Sequence, residues 1–436
     1  MKLSSCYLFK RCSTFFFFST FSLLIILHLL AFAAHAANLY DPISVYLTWQ
    51  RNPESTMTVQ WISLSSRKQD IVEYRRSDET AWQRTAGRHL SLPGPSGYLV
   101  HRVELTDLTP HTAYTFRTGS DAVAYKFRTM PADDTTPIRF VVGGDMYHDS
   151  LEILEKTNRQ AAKTNPDFAL VGGDIAYAAN SQGALSESFH SWAEWALSDL
   201  PVISNKITKK RQRWIDWIVA WKNQMVTTDG RLIPMLPALG NHDVNGGYGQ
   251  PSKQAIYFHT LFAMPGKQGY NVLDFGHRMC IVILDTGHTN TICGWQTQWL
   301  NQALSDRQHF PLKFALYHVP AFPSIRNPNS KYCALARKCW VPLFEKYNLT
   351  AAFEHHDHNY KRSYPIRNGK IDPTGVLYLG DGAWGVDAPR VRKKNHPIPW
   401  YISKMVPRRH FILVTIVGNI PHFTAIDTDG IIFDET

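Results

Sequence analysis

The sequence predicts an α/β protein in two successive parts behind an apolar leader: a β-sandwich, then a larger domain of alternating strands and helices. Three observations predict it. Between about Ile43 and Met130, short alternating segments (VYLTWQ, TMTVQWISL, DIVEYRR, YLVHRVEL, TAYTFRTG, AYKFRTM) are separated by turn-forming residues, the spacing of a sandwich of antiparallel strands. From about Pro137 the texture changes to apolar strands alternating with amphipathic helices, as in IRFVVGG, SLEILEKTNRQAAKTN and DFALVGG, which is the pattern of an α/β sheet. Finally, 436 residues that are 44% hydrophobic and 13% aromatic are enough for two domains and a substantial core, and they exclude a disordered chain.

In chain order, Lys2, Lys10 and Arg11 precede the apolar stretch Phe15 to Ala34, and Ala34-His35-Ala36 offers a small-residue cleavage site. Residues 1–36 read as a secretory signal peptide, interrupted by Ser19, Thr20, Ser22 and His28. An uncleaved N-terminal anchor is the alternative, because the stretch approaches the ~20 residues of a membrane span. The expected location is therefore secreted or periplasmic, without stable membrane insertion once the signal is removed. Residues 38–130 form the sandwich, and LTDLTPHTAYTFRTG resembles the corner segment of a fibronectin type III domain, with Tyr114 as the corner tyrosine. PADDTTP, residues 131–137, reads as a linker, and residues 138–436 form the second domain. Its long helical insert carries Trp192, Trp195, Trp214, Trp217 and Trp221; the last three share one helical face, which favours core packing over a ligand cage.

The formal charge of +10 falls to +7 when the leader's three cations are removed. A basic surface suits anionic partners, phosphorylated small molecules among them. RVRKK at 390–394 and PRRH at 407–410 are the nearest approach to a basic run, so no nucleic-acid partner is expected. Six cysteines become four without the leader. Cys333 and Cys339, close together in what reads as a polar loop, are the favoured bridge. Cys280 in RMCIVILDT reads as a packed strand residue, with pairing to Cys293 left open. No CxxC pair suggests a thiolate metal site.

Five polar clusters follow apolar runs in the second domain: GGDMYHD at 143–149, GGDIAY at 172–177, GNHD at 240–243, LYHVP at 316–320 and EHHDH at 354–358. Singly, each has an ordinary explanation as a turn, a cap or a core histidine. Together they put oxygen and imidazole donors past successive strand ends, where α/β sheets gather ligands. Such donors suit Zn, Fe or Mn, and their number suits a two-metal hydrolase.

The order D, GDxxY, GNH, xxxH and HxH resembles that of the calcineurin-like metallophosphoesterases, specifically the purple acid phosphatases, which also place a fibronectin-like domain before the catalytic one. The resemblance implies a fibronectin III-like sandwich followed by a two-sheet αββα metallophosphoesterase domain. It implies that Asp145, Tyr177 and His358 hold Fe(III), that Asn241, His318 and His356 hold a divalent ion (Zn, Fe or Mn), and that Asp174 bridges them. Two aspartates, a tyrosinate and a bridging hydroxide then leave the centre one unit positive, suited to a phosphate monoester. The implied reaction is acid phosphatase chemistry, the in-line attack of a metal-activated hydroxide on a monoester. In it His242 acts as general acid, and Asp243 stands where the family commonly has Glu. A phosphodiesterase or nucleotide pyrophosphatase on the same scaffold is the nearer alternative, and a non-catalytic metal-containing binding protein the further one. Two departures from the pattern are Met146-Tyr147-His148, where a glycine is usual, and His355, which replaces another glycine. His148 is expected to face outward. His355 is expected beside the metals or on the surface, and Arg326, Tyr248 and Asp387 in solvated loops.

Overall fold

Strands of the N-terminal part pair into two antiparallel sheets whose facing side chains alternate with outward ones. The computed structural model describes residues 42–64, 70–94, 97–119, 123–179, 201–380 and 382–436; residues 1–36, read from sequence as a signal peptide, and Trp192 and Trp195 lie outside them. The first sheet orders β1 (Ser44–Thr48), β2 (Met57–Ser63), β6 (Leu99–Leu105) and β5 (Arg88–Ser91). The second orders β4 (Gln83–Ala86), β3 (Ile71–Arg76), β7 (Ala113–Thr118) and β8 (Tyr125–Arg128). Val59, Val72, Val103, Phe116 and Phe127 are fully buried between them. The Tyr114 hydroxyl accepts the Thr109 N–H at 2.8 Å, the corner bond expected of it.

Strand β2 is buried along its whole length because its sheet is covered on both faces. The outer face packs on the second domain: Ser44 Oγ donates to the Ile218 carbonyl at 3.0 Å, Tyr46 to Leu261 at 2.7 Å, and the Ala263 N–H donates to Gln60 Oε1 at 3.1 Å. Trp49 wedges its ring edge-on against Phe168 and Phe275, with centroids 5.9 and 6.0 Å away. One apolar core thus runs through both parts of the chain.

The second domain is two packed sheets. A six-stranded sheet orders β11 (Met235–Pro237), β10 (Phe168–Val171), β9 (Ile138–Gly143), β21 (His410–Val417), β22 (Ile420–Asp427) and β23 (Ile432–Glu435). A seven-stranded sheet orders β12 (Asn271–Phe275), β13 (Met279–Ile283), β14 (Leu312–Leu316), β15 (Ala351–Glu354), β19 (Leu377–Gly380), β16 (Tyr360–Ser363) and β20 (Ile402–Val406). A small hairpin, β17 (Ile366–Arg367) with β18 (Lys370–Ile371), stands apart. Phe140, Phe314 and Phe353 interlock between the sheets at centroid distances of 5.7 to 6.1 Å, within the range where aromatic pairs add to burial.

Helices α1 (Leu151–Lys163), α2 (Pro201–Gln224) and α3 (Ile256–Leu261) cover the outer face of the first sheet. Helices α4 (Trp295–Ser305), α5 (Lys331–Cys339) and α6 (Val341–Lys346) cover that of the second. This is the two-sheet αββα arrangement expected from the sequence. Helix α1 starts where Ser150 Oγ accepts the Ile153 N–H, an N-cap. Trp214, Trp217 and Trp221 are buried along one side of α2, as their spacing requires.

The expected Cys333–Cys339 bridge does not form, whereas Cys280 is the packed strand residue expected. Cys293 pairs with Cys339, and Cys280 and Cys333 are buried thiols. The segment read as a loop is helix α5, in which six residues span about 9 Å of rise. That exceeds the ~7 Å Cα separation a disulfide tolerates.

Candidate metal centre

Seven side chains singled out by sequence sit past the C-terminal ends of parallel strands. Asp145 follows β9, Asp174 and Tyr177 follow β10, and Asn241 follows β11, all from the six-stranded sheet; His318 follows β14, and His356 and His358 follow β15, from the seven-stranded one. The loops continue the sheet pairing for three more residues, with the N–H groups of Asp145, Met146 and Tyr147 donating to the carbonyls of Gly173, Asp174 and Ile175 at 2.9 to 3.0 Å. Asp145, Asp174, Tyr177, His356 and His358 all have positive φ, between 48° and 76°. A non-glycine residue there is backbone strain that surrounding contacts must hold, and such strain gathers at functional sites.

The seven form two adjoining groups. In the first, Asp145 Oδ1 lies 2.8 Å from His358 Nε2 and accepts the Tyr177 hydroxyl at 3.0 Å, which is itself 3.0 Å from His358 Nε2. In the second, His318 Nε2 lies 3.2 Å from Asn241 Oδ1, 3.1 Å from His356 Nδ1 and 3.3 Å from Asp174 Oδ2. Asp174 holds the His242 N–H on its other oxygen at 2.7 Å, and the His242 ring stacks on Tyr177 with centroids 4.5 Å apart. All eight expected residues are thus brought into one cleft.

Electrostatics favour cations here. Asp174 is buried, and its Oδ2 faces His318 Nε2 at 3.3 Å, a costly setting for a carboxylate oxygen unless positive charge is beside it. Burial opposes ionisation of Asp174, but the charge of and hydrogen bond to His318, with His242 and His356, outweigh it and hold the carboxyl far below its usual range. Burial likewise resists Asp145, and His358 and His318 bring it down. For His318, burial is overcome by Asp174 and Asp145, which lift it to about 9. Burial, with Asp145 and Asp174 adding to it, pushes the Tyr177 phenol well up. A phenolate at this position therefore requires a strongly acidic cation beside it, as a trivalent ion is. The donor set fits a pair of metal ions: carboxylate, phenol and imidazole in one group, amide and imidazoles in the other.

Supporting residues explain how the cleft keeps its shape. Glu354 accepts the Tyr317 hydroxyl and the Ala321 N–H, both at 2.6 Å, and pairs with buried Lys361, joining the two histidine-bearing loops. Gly382 lies so close to Asp145 that a Cβ would stand 1.7 Å from Oδ2. Asp243 accepts the N–H groups of Ile175 and Gly240 at 2.9 Å, tying the GDxxY and GNH loops together rather than forming a plain turn.

Other expectations are corrected. His355 is buried with neither ring nitrogen hydrogen-bonded, and Gly144 and Gly172 make its room: a Cβ on Gly172 would stand 1.9 Å from the ring. His148, expected to face outward, lies edge-on to Tyr177 with centroids 4.8 Å apart and 3.3 Å from Asp387 Oδ2. Tyr248 is no solvated loop residue either. It donates to Asn241 Oδ1 at 3.3 Å and stacks between Tyr332 and His288. Arg326 is the exposed loop residue expected, and it pairs with buried Asp357 at 3.4 Å. Sequence reading missed Asp285, Thr286 and His288, which follow β13: Thr286 Oγ1 accepts the Val319 N–H beside His318. DTGH after the apolar run MCIVI carries the same polar-after-strand signal as the other five clusters.

The fold and this cluster define the chain as a calcineurin-like phosphoesterase, whose family model matches residues 138–360. The model of the purple acid phosphatase N-terminal domain matches residues 42–129. The chain belongs to the purple acid phosphatase family. Purple acid phosphatase 21 of Arabidopsis thaliana is 25% identical over 319 residues, covering 72% of this chain and 65% of the relative. Purple acid phosphatase 23 of the same organism is 24% identical over 305 residues, covering 65% and 62%. The chain thus spans just under two thirds of the length of these relatives. Among solved structures, the purple acid phosphatase PPD1 from yellow lupin (Lupinus luteus) seeds has a TM-score of 0.71 at 18% identity, over 90% of this chain and 73% of that one. PhoD has a TM-score of 0.61 at 12% identity, over 91% and 89%. At these identities the likeness is one of fold.

Proposed function

We propose that the chain is an exported, binuclear metal-dependent acid phosphatase that hydrolyses phosphate monoesters. The observation that carries the reading is the contact of Asp145, Tyr177 and His358 within 3.0 Å of one another, beside a second group built on His318. Asp145, Tyr177 and His358 would hold Fe(III), Asn241, His318 and His356 would hold a divalent Zn, Fe or Mn ion, and Asp174 would serve both. When bound, such a pair supplies acidified water and neutralises charge on the phosphoryl group.

The chain's own part is positional. Asp174 fixes the His242 backbone by accepting its N–H, and stacking on Tyr177 aims the imidazole across the cleft. From there His242 holds a proton for the departing alkoxide oxygen of the ester. Tyr248 orients the Asn241 amide so that its oxygen faces His318. The apolar leader supports export, with residues 1–36 removed. The purified protein's visible spectrum and metal content test the reading. A purple or pink band that disappears in Tyr177→Phe, with iron present and monoesters turned over faster than diesters, is the expected result. A colourless protein with two divalent ions and faster diester cleavage would overturn it in favour of a phosphodiesterase.

A further inference from the structure

A second cluster of donor side chains lies in the sandwich, remote in sequence from every residue of the cleft. His89 on β5 and His101 on β6 are directly opposite in the strand pairing, so their side chains leave the same face of the sheet. Both present Nδ1 to Asp70, which stands just before β3 at the head of the other sheet. His101 Nδ1 is 2.5 Å from Oδ1 of Asp70, and His89 Nδ1 is 2.9 Å from Oδ2. The three donor atoms lie within 4.8 Å of one another.

We propose that Asp70, His89 and His101 form a binding site for one divalent transition-metal ion, of the zinc class, that staples the two sheets of the sandwich together. The His101 ring is built in. Its side chain is fully buried, stacked on Trp61 with centroids 4.7 Å apart and planes 5° from parallel, and its Nε2 lies 2.8 Å from Ser63 Oγ. The Ser63 contact is the kind of outer hydrogen bond that orients a metal-bound histidine, and the tautomer with its hydrogen on Nε2 leaves the Nδ1 lone pair facing the Asp70 side.

Two imidazoles and a carboxylate are a ligand set for zinc, copper or nickel rather than magnesium or calcium. Metal bonds of about 2.0–2.2 Å need donors roughly 3.3 Å apart, so Asp70 must withdraw by about 0.4 Å from His89 and about 0.8 Å from His101. It can do so at the open end of the site, where its side chain is 19% exposed and that of His89 39%. That opening also leaves the remaining coordination position to water or an external anion. The backbone at this corner is already fixed: the Gly87 N–H, where the chain passes from β4 to β5, donates to the Asp70 carbonyl at 2.7 Å.

Metal counting on the full chain tests this. Wild type, His89→Gln and Asp70→Asn are dialysed against ~10 µM Zn²⁺, gel-filtered and analysed for zinc and iron, with thermal unfolding followed with and without the metal. Each variant is expected to hold one zinc fewer per chain than wild type, to keep its iron and its phosphoesterase turnover, and to lose the zinc-dependent rise in Tm. Equal zinc in all three proteins, or loss of iron together with zinc in both variants, would overturn the site.

Discussion

His242 concentrates the residue-scale chemistry. It touches Asp174 through its backbone and Tyr177 through its ring, yet neither group of candidate metal donors includes it. His242→Ala should lower turnover about 100-fold or more, the usual weight of a general acid, with both metals retained; unchanged turnover in a metal-replete variant would remove it from the reaction. The residues of the cleft were legible because each follows an apolar run, so the strand end announces the polar residue after it. The settings of His148 and His355 were not legible. His148 meets Asp387, 239 positions away, and His355 occupies space left by Gly144 and Gly172. Tertiary neighbours of this kind leave no local periodicity to read.

Among elements, helix α5 marks where reading by composition failed. The stretch around Cys333 and Cys339 reads by composition as a polar loop, which favours pairing the two; as a helix it sends Cys339 to Cys293 instead. The bridge closes a separation of 46 residues, for which restricting the unfolded chain gives about 4 kcal/mol as an upper figure. Cys293→Ser and Cys339→Ser should therefore each lower the Tm by several degrees, and the double variant by no more than either. Cys333→Ser should cost far less. Thermal unfolding of the four proteins decides between the two connectivities. The sandwich strands and α2, by contrast, could be read directly, since alternation and the tryptophan face are local patterns that burial follows.

For the whole molecule, acid is a burden. Burial holds His410 down to about 4 and His259 to about 4, Asp285 only partly restoring the latter. Both are neutral in the folded chain, while the unfolded chain takes up protons below ~6.5. Their contribution to stability is therefore complete above that pH and is lost as pH falls from ~6.5 to about 4, by up to roughly 1.4 kcal/mol per pH unit for each. Urea midpoints measured at pH 7 and pH 4.5 should show the fall, and His410→Asn should reduce its slope by about one proton. The division of the cleft between the two sheets has a consequence for assembly. Every oxygen donor of the cluster belongs to the six-stranded sheet and every imidazole donor to the seven-stranded one, so neither half alone offers the mixed set. In a nascent or damaged chain the complete donor set does not exist until the two sheets have docked, so full metal loading reports on a correctly closed molecule.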